Sequence, residues 1–180
     1  MPNWCENQLT ITGPHAMVAE WVQAMQGVPV HWPDSFDDPD SPTVFPLCFH
    51  RGVPVPPDIV QKGFSPTGYH WCCRHWGTKW EPNGPDDVPL VSVNHDGSAT
   101  AFYLFDTAWS PPIAWLNTVA LQWPALSFSL LYGEPGVQAY GEYLWLDGQC
   151  VQEEIIDPET QSEWIAEHFG AEFNEDFDDA

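Results

Sequence analysis

Alternating and helical patterns of apolar residues divide most of the chain into strands and helices. In residues 4–12, Asn7, Leu9 and Ile11 share one register of a period-two alternation, which is typical of a β-strand. Residues 15–26 follow with apolar side chains at i, i+1, i+4, i+5 and i+8, which predicts an amphipathic helix. Gly27 stands where a glycine commonly ends a helix. The chain is therefore predicted to begin with a strand and a helix.

The second half of the chain repeats both patterns. Four segments share strand-like composition or alternation and have turn residues near their ends: 90–94, 100–105, 126–131 and 137–146. A helix is predicted over residues 110–123, with Ser110 as the N-cap and Pro111 at the first helical position. The order of elements in this half is strand, strand, helix, strand, strand.

Residues 28–68 have a different character, because they contain nine of the 19 prolines of the chain. Proline fixes φ and removes a backbone donor, so long helices and central strands are not expected here. We interpret the segment as an inserted, loop-rich flap, with Phe45-Pro46-Leu47 and Ile59-Val60 docking on the core. A disordered linker is the alternative, which the aromatic content of the segment disfavours.

Without the flap and the final strand, the order is βαββαβ. This order predicts an α+β protein with the ferredoxin-like split βαβ arrangement, an antiparallel sheet with two helices on one face. We assign residues 1–146 to this domain, with 137–146 as an extra C-terminal strand. Residues 147–180 form an acidic C-terminal region, in which a helix is predicted from Asp157 to Phe169 and disorder beyond Gly170.

The charge of the chain is strongly one-sided, with 26 acidic residues, four basic residues and a net charge of −22. Such a field repels phosphates and anionic membrane surfaces and attracts basic partners. It argues against direct nucleic-acid binding, which depends on Lys and Arg. The predicted C-terminal helix carries Glu159, Glu163 and Glu167 at i, i+4 and i+8, which makes an acidic stripe.

Neither a membrane protein nor a metal protein is expected. The N-terminus shows no secretory signal, and no stretch reaches the ~20 apolar residues of a membrane span, so a cytoplasmic location is predicted. Five cysteines without a framework spacing favour reduced thiols. A cluster of metal-capable side chains lacks a zinc-ligand spacing, so we predict no metal and no cofactor. Its members are His70, Cys72, Cys73 and His75.

The motif Trp76-Gly77-Thr78-Lys79-Trp80 has two interpretations. It is a ligand platform, together with Trp109, if Lys79 lies between indole rings and is held by cation–π attraction. It is structural if Gly77 makes a sharp turn that seats two buried tryptophans while Lys79 pairs with nearby carboxylates, and this interpretation is favoured. No nucleophile elbow or phosphate-binding loop is present, so a non-enzymatic protein is predicted.

Four ordered motifs carry a family resemblance. The chain resembles the Api92-like, YubB-like ferredoxin-like proteins of phages, plasmids and genomic islands over roughly residues 1–146. The resemblance implies a ferredoxin-like fold and a mobile-element origin, but no activity. The acidic tail is interpreted as an addition of this sequence, and His75 stands where family members often have Asn. The motifs are residues 1–11, Trp76-Gly77-Thr78-Lys79-Trp80, Thr107-Ala108-Trp109-Ser110-Pro111-Pro112, and Tyr132-Gly133-Glu134-Pro135-Gly136 with Gly141.

Our leading functional hypothesis is a mobile-element protein that binds a basic host protein and inhibits CRISPR or restriction defence by imitating nucleic acid. Carboxylates four residues apart on a helix rise about 6 Å, against roughly 3.4 Å per phosphate along one strand. Acids outside the stripe must therefore contribute. The alternatives are a module that binds a small ligand or nucleic acid through the platform, an enzyme of unknown type, and charge that serves solubility alone. The partner-binding candidates are Glu159, Glu163, Glu167, Asp34, Asp37 and Asp38.

Overall fold

The structure is a computed structural model that describes residues 3–34, 43–83, 89–157 and 159–170. These residues form one six-stranded antiparallel sheet in the order β2-β3-β1-β4-β5-β6. The predicted α+β class and ferredoxin-like fold are confirmed. The strands are β1 (Trp4–Pro14), β2 (Leu90–Val93), β3 (Ser98–Ala108), β4 (Ser127–Glu134), β5 (Ala139–Leu146) and β6 (Gln149–Ile155).

Two of the longer helices cover one face of the sheet. The helices are α1 (His15–Met25), α2 (Phe49–Gly52), α3 (Pro57–Val60), α4 (Tyr69–His75), α5 (Ile113–Gln122) and α6 (Gln161–His168), and a helical turn, Phe64–Gly68, leads into α4. Leu9 and Ile11 of β1 are fully buried in the main core. Trp21 of α1 packs edge-on against Tyr103 of β3, and Trp145 of β5 donates to Asn117 Oδ1 of α5. No described helix has the length and apolar composition that a membrane crossing requires.

The sixth strand is a feature that the sequence interpretation missed. β6 pairs with β5 from Leu146↔Gln149 to Gly141↔Ile155, so the sheet continues beyond the predicted domain boundary at residue 146. All seven residues of β6 are exposed. A strand without a buried face has no need to alternate apolar and polar residues, which is why the period-two pattern gave no signal.

The C-terminal helix packs on the opposite face of the sheet from α1 and α5. Ile165 is buried in a second, small core with Tyr140 and Ile156, and Gln8 Nε2 donates to the carbonyl oxygen of His168 at 2.9 Å. The helix begins at Gln161, later than predicted, because Asp157 organises the preceding turn through the backbone N–H of Glu159. The predicted stripe is therefore shorter: only Glu163 and Glu167 lie on the helix.

The described part of the proline-rich segment contains only short elements. Leu47 and Phe49 are fully buried, and Phe45 exchanges two backbone hydrogen bonds with Gly27. The indole N–H of Trp115 in α5 donates to the carbonyl oxygen of Phe49 at 2.9 Å. These contacts hold the segment against the edge of the core formed by α5.

Candidate functional site

The four motifs that are distant in sequence meet at one end of the sheet. Trp109 donates its backbone N–H to Asn3 at 2.9 Å, and Thr78 Oγ1 donates to the carbonyl oxygen of Ala108 at 3.0 Å. A Cβ at Gly136 would collide with the side chain of Asn3. The start of β1, the ends of β3 and β4 and the loop after α4 are thus joined by direct contacts.

The loop after α4 makes a sharp turn that buries one tryptophan. Gly77 has a φ of 86°, and a Cβ there would lie 3.1 Å from the carbonyl oxygen of Pro111. Trp76 is 1% exposed and donates its indole N–H to Val53 at 2.9 Å. Trp76 therefore belongs to the core, and the structure does not place it on a ligand platform.

Lys79 lies between two indole rings. Its Nζ is 3.8 Å from the ring centre of Trp80 and 3.7 Å from that of Trp109, and the residue is 9% exposed. Burial lowers the pKa of Lys79. Within the described ranges the only ion pair joins Lys62 to Asp58, so the expected pairing of Lys79 with carboxylates is not seen there. We call Lys79, Trp80 and Trp109 the indole cage.

Trp109, one wall of the indole cage, has a strained backbone conformation. Its φ is 73°, in the left-handed region that a bulky side chain rarely adopts. Ser110 Oγ donates to the carbonyl oxygen of Gly77 at 2.7 Å, and Thr107 Oγ1 donates to that of Ser110 at 2.8 Å. Ser110 therefore links two loops. The sequence predicted it as the N-cap of α5, and this prediction is wrong, because α5 begins after Pro112 and has no side-chain cap. Trp80 is 38% exposed and Trp109 48% exposed, so both rings also meet solvent.

A pair of carboxylates lies on the sheet face that carries Trp4. Glu6 and Asp106 are cross-strand partners between β1 and β3. Burial raises the pKa of both groups, and the charge of Asp106 raises the pKa of Glu6 further. Trp4 lies two residues before Glu6 on the same strand face, and its ring centre is 6.3 Å from that of Trp80.

Seven acids of the described residues lie on β5, β6, α6 and the link between β6 and α6. Glu142 and Glu154 are cross-strand partners, and Gln152 donates to Glu142. Tyr143 donates its hydroxyl to Glu153 at 2.7 Å. The chain has no Lys or Arg after Lys79. No basic residue therefore lies near these acids along the sequence. We call the group the acidic edge: Glu142, Glu153, Glu154, Asp157, Glu159, Glu163 and Glu167.

The remaining partner-binding candidates do not join the acidic edge. Asp34 accepts the backbone N–H groups of Phe64, at 2.7 Å, and Ser65, at 3.2 Å, and these bonds lower its pKa. Its carboxylate is therefore engaged in holding the proline-rich segment. Asp37 and Asp38 lie outside the described residues, as does the region beyond Gly170 for which disorder was predicted.

Cys72 and His75 of α4, two of the metal-capable side chains, lie in different surroundings. Cys72 is buried in the core, whereas the ring of His75 stacks on Trp71 with centres 4.3 Å apart. The cysteines are free, and the described residues contain no group of three side chains able to hold a metal. Burial raises the pKa of Cys48 to about 12 and that of Cys72 further, which makes these thiols poor nucleophiles.

Glu81 is a half-buried acid with a desolvated carboxylate, and the sequence did not single it out. It accepts the backbone N–H groups of Phe49, at 2.5 Å, and His50, at 3.0 Å. Burial raises its pKa to about 7. An acid just after a tryptophan-rich loop looks like a solvated residue in the sequence, and its burial depends on α2, about thirty positions earlier.

The fold and the converging loops define a ferredoxin-like α+β protein with a distinctive sheet end. Residues 90–179, half of the chain, match the family model described as the ferredoxin-like domain in Api92-like protein, and the chain belongs to this family. The predicted resemblance is confirmed. The match runs to residue 179, so the family model extends through the C-terminal region that the sequence interpretation treated as an addition.

A solved structure supports the same fold. The crystal structure of the protein api92 from Yersinia pseudotuberculosis is 13% identical, covers 87% of this chain and 99% of its own, and superposes with a TM-score of 0.61. At this identity the likeness concerns the fold alone. A comparison with curated proteins finds no significant match.

Proposed function

We propose that this chain is a non-enzymatic mobile-element protein that binds a basic host protein through the acidic edge and thereby inhibits host defence. The observation that carries the proposal is the pairing of Glu142 with Glu154. Like charges directly opposite each other on neighbouring strands destabilise a sheet. Solubility requires only dispersed charge, so like charges placed in register favour a binding role.

The arrangement of the acidic edge supports a protein partner with a basic surface. Glu163 and Glu167 lie about 6 Å apart along α6, and the sheet adds carboxylates in a second direction through Glu142 and Glu154. The sheet pair thus supplies acids outside the helical stripe, as the spacing argument requires. Nucleases and CRISPR subunits present basic grooves to nucleic acid, which is the chemistry that such an array would engage. The mobile-element setting rests on the family resemblance, and the cytoplasm of a bacterial host is the corresponding location.

A salt-controlled pull-down from bacterial lysate tests the proposal. We expect the wild-type chain to capture a basic nucleic-acid-handling protein at low salt and to release it at high salt, because the Debye length falls from about 10 Å at 0.1 M to about 3 Å at 1 M. The double variant Glu142→Gln/Glu154→Gln should capture less, mainly through slower association. Glu159→Gln/Glu163→Gln/Glu167→Gln should act in the same direction.

The matched control removes two carboxylates elsewhere. Glu20→Gln on α1 and Asp58→Asn on α3 change the net charge as much as the sheet pair does, at exposed positions away from the acidic edge. Equal capture by the control and the edge variant would contradict the proposal, as would the absence of any salt-sensitive partner.

A binding module that works through the indole cage remains the second candidate. The half-exposed rings of Trp80 and Trp109 favour it, whereas the net charge of −22 disfavours nucleic acid as the ligand. If Trp109→Ala abolishes capture of the partner while the acidic-edge variants bind normally, the cage and not the acidic edge is the working surface.

A further inference from the structure

We propose that the indole cage is a cation-binding site, occupied in the free protein by Lys79 and open to a cationic side chain of a bound partner. The identity of that partner as a basic protein rests on the proposed function above. The ability of the cage to exchange its cation does not depend on it.

The geometry of the cage is that of a two-walled cation receptor. The Nζ of Lys79 lies under 4 Å from the ring centres of both Trp80 and Trp109. Indole faces attract cations, and aromatic cages of this kind recognise ammonium and guanidinium groups. Lys79 thus shows, as an occupant from the chain itself, that the space between the rings accommodates a cation.

The walls of the cage do not depend on the lysine side chain. The backbone N–H of Trp109 is bound by Asn3, and the loop that carries Lys79 is bound through Thr78 Oγ1 to Ala108. Ser110 links the two loops through Gly77. Removal of the ammonium would therefore leave both indoles supported by hydrogen bonds of the backbone that carries them.

The lysine is held in the cage by its two ring contacts and not by an ion pair within the described ranges. In the described ranges the ammonium has two ring faces as neighbours and no ion pair, although 91% of the residue is hidden. Its ammonium stands on a flexible four-carbon stem, so we expect the side chain to leave the cage by rotamer changes. Arg is less strongly hydrated than an ammonium and stacks on aromatic faces, so a guanidinium of a partner can compete for the cage.

The net charge of the molecule favours a cation over an anion as the ligand of the cage. Glu6 and Asp106 lie on the sheet face that carries Trp4, whose ring neighbours Trp80. With a net charge of −22, the molecule repels a carboxylate or phosphate that approaches Lys79. The ligand class is therefore a guanidinium or ammonium side chain.

Lysine labelling of the wild-type protein tests the exchange directly. The chain contains only two lysines, and Lys62, whose side chain is 57% exposed, is an internal control for Lys79. Acetylation is followed at each lysine by mass spectrometry in tetramethylammonium chloride and in sodium chloride of equal concentration. Tetramethylammonium carries a cation but no reactive amine, so it can replace Lys79 without consuming the reagent.

We expect Lys79 to react more slowly than Lys62 in sodium chloride, and to react several-fold faster in tetramethylammonium chloride, with Lys62 unchanged. An identical rate for Lys79 in the two salts would overturn the proposal, because the probe would then fail to displace the lysine. The variant Glu142→Gln/Glu154→Gln should behave like wild type. Failure of this assay therefore leaves capture by the acidic edge untouched. Likewise, failure of the pull-down leaves the exchange of the cation in the cage untouched.

A vacated cage provides a second measurement. Lys79→Ala removes the competing cation, so the indole N–H signals of Trp80 and Trp109 should shift at about tenfold lower tetramethylammonium concentration than in wild type. Lys62→Ala removes the same charge at an exposed site and should leave the wild-type response unchanged. NMR is needed because the 11 tryptophans of the chain would obscure a fluorescence change. Equal responses of the folded Lys79→Ala and Lys62→Ala variants would contradict the proposal.

Discussion

At the scale of single residues, Glu81 links the proline-rich segment to the rest of the core. Its carboxylate accepts two backbone N–H groups at the start of α2, and Cys48 Sγ lies 3.8 Å from it. Burial opposes ionisation more strongly than these bonds favour it, so the pKa of the carboxyl is raised from 4.5 to about 7. Ionisation of Glu81 therefore lowers the stability of the folded state.

The raised pKa of Glu81 predicts a pH-dependent stability near neutrality. Between about 4.5 and 7 the folded state binds more protons at this group than the unfolded state, so stability should fall as pH rises through this window. The slope contributed by one group is at most about 1.4 kcal/mol per pH unit. Urea unfolding from pH 5 to 8 should show a shallower slope for Glu81→Gln than for wild type. The exposed control Glu20→Gln should keep the wild-type slope, and a Glu81→Gln slope equal to wild type would contradict the assignment.

The two tryptophans of the loop after α4 should differ in their contribution to stability. Trp76 is buried, whereas Trp80 keeps part of its ring in water. Trp76→Ala should cost about 3–5 kcal/mol, as for other buried aromatic residues. Trp80→Ala should cost clearly less, contrary to the sequence interpretation in which both were buried. Denaturant unfolding measures both, and equal losses would show that the exposed part of Trp80 does not matter.

At the scale of elements, β6 combines an exposed edge with like charges in register. Val151 and Ile155 are exposed on this edge strand, and the register with β5 shifts between Leu144 and Trp145. A local irregularity and charged side chains are devices that discourage unwanted strand pairing. The same charges remain attractive to a basic partner, so edge protection and partner selection are compatible here.

The like-charge pair predicts a stabilising substitution. Glu154→Gln removes the repulsion with Glu142 across the two strands, which should raise the free energy of unfolding by about 0.2–1 kcal/mol. Chemical denaturation measures the change, with Glu20→Gln as the exposed control of equal charge. Unchanged or reduced stability would show that the two carboxylates do not destabilise the sheet, and the argument for a binding surface would lose its basis.

At the scale of the whole molecule, the net charge of −22 acts on every part of the fold. Self-repulsion destabilises a compact state, and salt screens it. The converging loops and the acidic edge are therefore embedded in a molecule whose stability depends on ionic strength.

Salt should stabilise the chain. Raising sodium chloride from 0.05 to 0.5 M should increase Tm, because the repulsion among unneutralised carboxylates weakens while the described structure has only one exposed ion pair to lose. Differential scanning calorimetry measures the shift. A decrease of Tm with salt would indicate that attractive charge pairs outweigh the repulsion.

Deleting residues 171–180 tests whether the acidic C-terminal residues contribute to folding. We expect Tm to stay within a few degrees of the wild-type value, as for removal of a solvated chain end. The deletion also removes five carboxylates, which relieves some repulsion. A large fall in Tm would show that these residues pack on the domain. The family match, which extends to residue 179, is the reason for the test.

Several features could be predicted from the sequence because their signals are local. The strand pattern of β1, the helical spacing of α1 and the turn at Gly77 each depend on residues close together in the chain. A face that is buried imposes a period on the sequence, and a positive φ favours glycine. The order of these elements was sufficient for the βαββαβ arrangement, and the acidic surplus follows from composition alone.

Other features were decided only by the tertiary structure, because they depend on contacts between distant residues. The exposed β6 has no periodic pattern, and the burial of Glu81 depends on α2. The cage requires Trp109 to reach Lys79 through a strained backbone, and the repulsion of Glu142 and Glu154 requires the β5–β6 register. Local preference has no information about which segments will meet, since register and loop packing are set by burial summed over the whole sheet.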